Sequence, residues 1–542
     1  MPPNSLLPCQ QEYEGEYFFK PAGPWDTYSE EGQEGFIDMQ VTSRWSSSRR
    51  DTWAHRLLIV IAICMLATHW IHLEADPSWN LGPIHVRDWS GDLLTDEGYA
   101  AAGAARAVMI GTWYVPGDFN RAVDAPLWPL LLYLPFKFCG VSMGLARFIA
   151  ACFYAGTVLS AYLMVRLLDT RLNAALVAAL LATNYLGFQF GRLALFEAAW
   201  VFFVSASLLV AVHAARSNSL TQSFGAGFVL SLGVLTKLTA VIGFLPLIAA
   251  IVLISTVPQK RWKMVLAAVA GCLILPAVHH LIAIPYYKSD HLYNVTGDIS
   301  DRMVVSLLDF LQVMIAHVVS LKYIGFFLLL CCAFGVIISL LTPIRKTDVL
   351  TRLVLVWLVS ALGITTMVRY FPPRYCFCFV VPAVIFAVKS ANSGFQRNKL
   401  VGSCLYVLLG LAMVSNGVEI VGYLAKPSYT FEAFAEAVRV ASSDKTSRQC
   451  DFMGNFANSL SLFNRLPSEN DTYRNSTMAQ GIQHCDPRVY VKLGPASLDD
   501  ERQFRASGKA LVLESKSDLL DNYYNGQPAY LYKVVPSAVD LK

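Results

Sequence analysis

Apolar runs of roughly 17–25 residues, the length a helix needs to cross a bilayer core, recur along the chain between short polar loops. The runs fall at residues 57–75, 147–168, 173–190, 198–216, 264–284, 323–341, 376–389 and 400–421. A hairpin of two more turns at Leu235-Thr236-Lys237, and a further run rises to Arg369. The pattern predicts a polytopic α-helical membrane protein of about eleven transmembrane helices. Residues 127–141 are apolar but short and predict a juxtamembrane helix. Residues 304–320 are apolar yet contain Asp309, Gln312 and His317, and predict an interfacial segment.

Charge orients these spans. Residues 1–56 form a polar tail that ends in Arg44, Arg49, Arg50 and Arg56 directly before the first run. Basic flanks stay cytoplasmic, so the tail is expected inside. Alternation then puts residues 76–126 outside as a first outer loop, and every loop assigned inside carries Lys or Arg. An odd number of spans places the end of the 57–425 membrane domain outside. From about residue 426 the composition becomes that of a soluble domain. An amphipathic helix at 431–438 precedes short β-like runs at 489–493, 510–513 and 529–535, a pattern that predicts a small extracytoplasmic α/β domain over 426–542. Cys450 and Cys485 would there face an oxidising compartment and could pair. Asn294, Asn470 and Asn475 head glycosylation sequons by pattern.

Composition narrows the class. The chain has 542 residues, 55% hydrophobic and 15% charged, with mean hydropathy +0.45, outside the range of soluble domains. A formal net charge of +4, dispersed through loops, gives no nucleic-acid footprint. The twelve cysteines show no Cys-x-x-Cys and no Cys/His cluster of metal spacing.

Chemistry-bearing residues concentrate on the expected outer side. Asp88, Asp92, Asp96 and Glu97 lie within ten residues, followed by Tyr99, Asp118, Asn120, Arg121 and Asp124. Carboxylates at a membrane surface suit binding and deprotonating a hydroxyl group; a capped, solvated helix is the plainer reading. A charge at membrane depth costs about 2.5–3.5 kcal/mol, so Arg192, Glu197, Lys237, Arg374 and Tyr375 also draw notice. Helix-end anchoring or snorkelling would explain each alone; together they suit an anionic headgroup held beside a carboxylate base. Asp-x-Asp is absent from the first outer loop. A divalent metal is permitted but not indicated, and no other cofactor is expected.

The ordered set Asp92-x-x-x-Asp96-Glu97-Gly98-Tyr99, Gly117-Asp118-Phe119-Asn120, Asp124-Ala125-Pro126-Leu127, Gly191-Arg192-Leu193-Ala194-Leu195-Phe196-Glu197, Leu235-Thr236-Lys237 and Arg374-Tyr375 resembles the bacterial GT-C glycosyltransferases. The similar groups are the dolichyl-phosphate-mannose–protein mannosyltransferase and aminoarabinose transferase types. Glu197 stands where many relatives carry Asp. The resemblance implies a GT-C fold and transfer of a sugar, with inversion, from a polyprenyl-phosphate donor to a lipid, glycan or protein acceptor at the outer face of a bacterial inner membrane. It implies Asp96 as catalytic carboxylate with Glu97 beside it. Substrate contacts would come from Asp92, Tyr99, Asp124, Arg192, Glu197, Lys237, Arg374 and Tyr375. A transporter or flippase gated by outer carboxylates is the alternative, and would be expected to show paired half-repeats and broken helices near the midplane. A scaffold presenting the C-terminal domain is a third reading.

Overall fold

The computed structural model describes residues 49–77, 91–115, 117–118, 120–292, 306, 308, 310–313, 324–341, 347–367, 373–442, 450–471, 477–518 and 528–537. Most of residues 304–320, together with Arg369, Asn294 and Asn475, lies outside them. The chain divides after Trp53, and the unit Ala54–Lys542 holds both the helical bundle and the C-terminal sheet.

Helices α1 (Arg49–Thr68) and α2 (Gly91–Met109) are followed by α3 (Leu127–Cys139) and α4 (Met143–Leu168). Next come α5 (Arg171–Thr183), α6 (Tyr185–Gly191), α7 (Phe196–Ser217), α8 (Leu220–Thr236) and α9 (Phe244–Ile254). Then follow α10 (Pro258–Leu292), α11 (Phe326–Leu340), α12 (Val349–Thr365), α13 (Phe377–Arg397) and α14 (Lys399–Ala425).

Among the described residues, five stretches are long and apolar enough to span a membrane alone: Met143–Leu168, Phe196–Ser217, Pro258–Ala283, Arg374–Arg397 and Lys399–Ala441. A sixth span results if α5 and α6, bent by 62°, are joined. Six further apolar helices have 10–17 residues. At 1.5 Å per residue these reach at most about 26 Å, the lower end of what a bilayer core requires. By length and composition alone, five or six spans are identified among the described residues, beside the eleven that periodicity suggests. The break between α5 and α6 has a local cause. Asn184 turns extended, and its side-chain oxygen accepts from Gly187 N, capping the second helix.

The helices alternate in direction, so their ends sort into two sets. Lys389 near the end of α13 pairs with Asp169, which caps the end of α4 (2.9 Å), and with Asp348, the N-cap of α12 (3.5 Å). The start of α7, the end of α8 and the start of α13 belong to the opposite set.

The C-terminal part is an α/β module. Helix α15 (Thr430–Ala441) leads into β1 (Phe452–Gly454), α16 (Ala457–Asn464), β2 (Ser468–Asn470), α17 (Met478–Cys485) and β3 (Val489–Leu493). It closes with α18 (Leu498–Ala506), β4 (Lys509–Ser517) and β5 (Ala529–Pro536). The sheet order is β2-β1-β3-β5-β4; β1 pairs parallel with β2 and β3, whereas β5 runs antiparallel to β3 and β4. Cys450 and Cys485 form a disulfide across this module. The Asn470 sequon is no acceptor in the folded chain: its side chain is buried and donates to Asn455 O.

The module is fastened to the membrane unit at two places. Asp76, after α1, caps α15 from about 350 residues away, accepting from Thr430 N, Thr430 Oγ1 and Phe431 N. Helix α16 lies directly on α2, where Gly98 N donates to Ser459 Oγ (2.9 Å). A Cβ at Gly98 would stand 2.2 Å from Ser459 N, so only glycine permits this approach. Gly98→Ala should push the two helices apart and cost about 1–3 kcal/mol. The expected readout is a lower melting temperature with faster amide exchange across residues 457–464; wild-type values for both would show the contact to be dispensable.

Candidate active site

Helix α2 carries the acidic face, and its position is set by two buried arginine pairs. Arg147, in the second turn of α4, meets Glu97 in a two-pronged contact: Nε to Oε1 at 2.8 Å and Nη2 to Oε2 at 2.6 Å. Both side chains are essentially inaccessible. Glu97 Oε1 also accepts from Ala194 N, and Arg147 Nη1 donates to the carbonyls of Leu73 and Ala75. Lower on α2, Arg106 pairs with Asp118 in the interior and reaches Asn458 Oδ1 of α16 (3.4 Å). Asn120 folds the following turn by bonding to the backbone of Val115 and Asp118. The Gly117–Asn120 motif is thus a scaffold for α2.

With Glu97 turned inward, the adjacent Asp96 projects elsewhere, and its side chain keeps 30% of its exposure. It meets Arg374 Nη1 at 2.8 Å. Arg374 Nε stands 3.8 Å from Glu197 Oε1, and Lys237 Nζ contacts the same oxygen at 2.5 Å. Lys237 also lies over the Tyr375 ring, 4.5 Å from its centroid, and the Arg374 guanidinium is 5.7 Å from it. Four of the five residues owe their place to a helix terminus. Glu197 opens α7, Lys237 is the C-cap of α8, and Arg374-Tyr375 occupies the 3-10 turn ahead of α13. Five residues from four separate parts of the chain therefore form one cluster of two carboxylates, two cations and an aromatic ring.

Of the other sequence candidates, Arg192 lies apart from it. Arg192 is 3% exposed and donates to the carbonyls of Ile71 and His72 while stacking over Phe188 and Tyr423. It clamps the strap after α1, as Arg147 does. Tyr99 is buried in the packed face of α2, and Asp124 is half-buried in the turn before α3. The side chain of Asp92 falls outside the described residues.

Arg147, Arg106, Asp76 and Ser459 were not candidates. Arg147 could have been found: an arginine inside an apolar run needs a buried partner. The other three make contacts too distant in sequence to leave a local pattern.

Both cluster carboxylates already face cations, a setting that opposes a divalent metal, so no step is assigned to one. Among the described residues, the one three-ligand grouping with metal-like spacing is Cys450, Glu469 and Cys485. Its two cysteines are bonded to each other.

Asp96 and Glu97 divide labour, and stability should reveal it. Glu97→Gln leaves Arg147 buried without a counter-charge and should cost about 3–5 kcal/mol. Asp96→Asn, on the exposed side, should cost at most about 1 kcal/mol. Thermal unfolding in detergent would separate them; equal losses would contradict this division.

The family described as dolichyl-phosphate-mannose-protein mannosyltransferase matches residues 123–282. No curated protein matches by sequence. Among solved structures the chain is similar to ArnT from Cupriavidus metallidurans in the apo state: 12% identity and TM-score 0.57, over 89% of this chain and 98% of that one. The same protein bound to undecaprenyl phosphate aligns with 12% identity and TM-score 0.54, over 87% and 97%. The oligosaccharyltransferase AglB from Archaeoglobus fulgidus, in complex with an inhibitory peptide and a dolichol-phosphate, aligns with 11% identity and TM-score 0.51, over 82% and 70%. At such identities the likeness is one of fold: the chain shares the fold of ArnT and AglB.

Proposed function

We propose that the chain is an inverting glycosyltransferase that moves a sugar from a polyprenyl-phosphate donor to a hydroxyl-bearing lipid, glycan or protein acceptor. The observation that carries this reading is the convergence of Asp96, Glu197, Lys237, Arg374 and Tyr375 at one end of the helices. Lys237 and Arg374 bind the donor phosphate, Lys as a point charge and Arg as a fork. Glu197, fully interior, holds both cations in position. When phosphate draws Arg374 away, Asp96 loses its counter-charge and becomes a stronger base.

Asp96 then accepts the proton of the acceptor hydroxyl as that oxygen attacks the anomeric carbon. The bond from carbon to phosphate oxygen breaks, and the phosphate leaves with the electron pair, its charge met by Lys237 and Arg374. One displacement inverts the anomeric centre. The apolar carrier lies along the helices, which accounts for a transferase site at the mouth of a helical bundle.

Asp96→Asn should reduce transfer at least about 10²-fold with donor binding retained. Lys237→Ala and Arg374→Ala should weaken binding of undecaprenyl phosphate about 10- to 150-fold, the worth of one charge-assisted contact. Titration of each variant in nanodiscs, alongside sugar-transfer rates, checks both. Donor affinity unchanged in both basic variants would remove the phosphate assignment.

We further infer that the N-terminus is cytoplasmic and that the site and the disulfide-bearing module face outward. The basic loops support this orientation, and so does a disulfide, which persists in oxidising compartments. Reporter fusions after Val421 should signal the outer compartment and fusions after Lys389 the inner one. A cytoplasmic signal at both would reverse the placement.

A further inference from the structure

A cleft of about 450 Å³ lies where the strap after α1 meets the module, away from the Asp96 cluster. Glu74, from the strap, lines it together with Tyr429, Glu432, Glu436, Phe463 and Asn464 of the module. Asn464 is 6% exposed. Its Oδ1 accepts from Leu466 N at 3.0 Å, whereas its Nδ2 has no hydrogen-bond partner. A buried amide donor without a partner is costly, and this one belongs to a residue of the cleft lining.

The lining mixes three kinds of group. Carboxylates accept, Asn464 and Arg465 donate, and Tyr429 and Phe463 offer apolar ring faces. Glu436 already holds Arg439 in a two-pronged contact at 2.5 and 2.7 Å, and Arg465 stands on the same lining, so the cleft is not a simple cation trap. Alternating hydroxyls over a flat apolar ring face match this mixture: acceptors meet the hydroxyls, donors the ring and glycosidic oxygens, and aromatics the C–H face.

We propose that the cleft binds a carbohydrate, the glycan portion of the acceptor. The assignment to the acceptor rests on the proposed transferase function. Both walls hang on elements that hold α2. Glu74 adjoins Ala75, whose carbonyl accepts from Arg147, and Asn464 ends the helix whose Ser459 receives Gly98 N. A sugar seated here is anchored to the same framework that aims Asp96.

The test uses the full chain in nanodiscs and saturation-transfer NMR, with maltotriose, chitotriose and mannotriose as neutral probes and spermidine as a cationic one. At least one trisaccharide should bind. Tyr429→Ala and Glu432→Gln should each weaken it about tenfold or more, Tyr429→Phe should restore it by keeping the ring, and Asp96→Asn should leave it unchanged. Thermal melts identify any variant that fails to fold, and Tyr429→Phe then carries the comparison. Spermidine binding in place of saccharide, no saccharide binding at all, or binding lost in Asp96→Asn yet kept in Tyr429→Ala would each overturn the proposal. Undecaprenyl phosphate titrated into the same nanodiscs separates the two readings: saccharide binding without phosphate binding keeps the carbohydrate cleft and removes the transferase assignment.

Discussion

The buried pair of Arg147 and Glu97 is the contact on which the site depends. Two opposite charges taken out of water are tolerable only when their hydrogen-bonding capacity is filled. Glu97 receives Arg147 through both oxygens and Ala194 N through one, and Arg147 spends its remaining donors on the carbonyls of Leu73 and Ala75. One pair thereby fixes α2, α4, the strap after α1 and the turn before α7 relative to one another. Neighbouring residues on a helix diverge by about 100°. Anchoring Glu97 inward therefore dictates where Asp96 can point, and that direction meets Arg374.

The C-terminal module takes part in the same arrangement from the other side of α2. Gly98 lets α16 approach to backbone contact, Asn458 receives Arg106 from the buried Arg106–Asp118 pair, and Asp76 caps α15. Helix α16 follows β1 of the sheet and buries Ala457 and Leu460 against it, while Leu462 joins the core of the membrane unit. It is a shared layer, so disturbance of the module would be transmitted to the helix that carries Asp96. The opposite end of the bundle has its own lock in Lys389, Asp169 and Asp348.

Much of this was legible in the sequence wherever a signal is local or periodic. Apolar runs located the helices, and parity placed Asp96, Glu197, Lys237, Arg374 and Tyr375 on one side, where the structure joins them. Periodicity registers apolar length without seeing where a helix bends, as at Asn184 between α5 and α6. Asp96 and Glu97, adjacent and chemically alike, could not be told apart before their partners were known. Arg192 looked like a substrate contact for the same reason; its carbonyl partners at Ile71 and His72 lie 120 residues upstream. The module's role was invisible, since one glycine against one serine across 361 residues leaves no pattern.

The central claim is that Arg374 exchanges Asp96 for a donor phosphate that Lys237 also binds, and so releases Asp96. A cryo-EM structure of the full chain in nanodiscs with undecaprenyl phosphate tests it most directly. The account predicts phosphate density about 3 Å from Lys237 Nζ and the Arg374 guanidinium, with the contact between Arg374 and Asp96 opened and the pair of Arg147 and Glu97 unchanged. Phosphate bound elsewhere, with Asp96 still on Arg374, would contradict it.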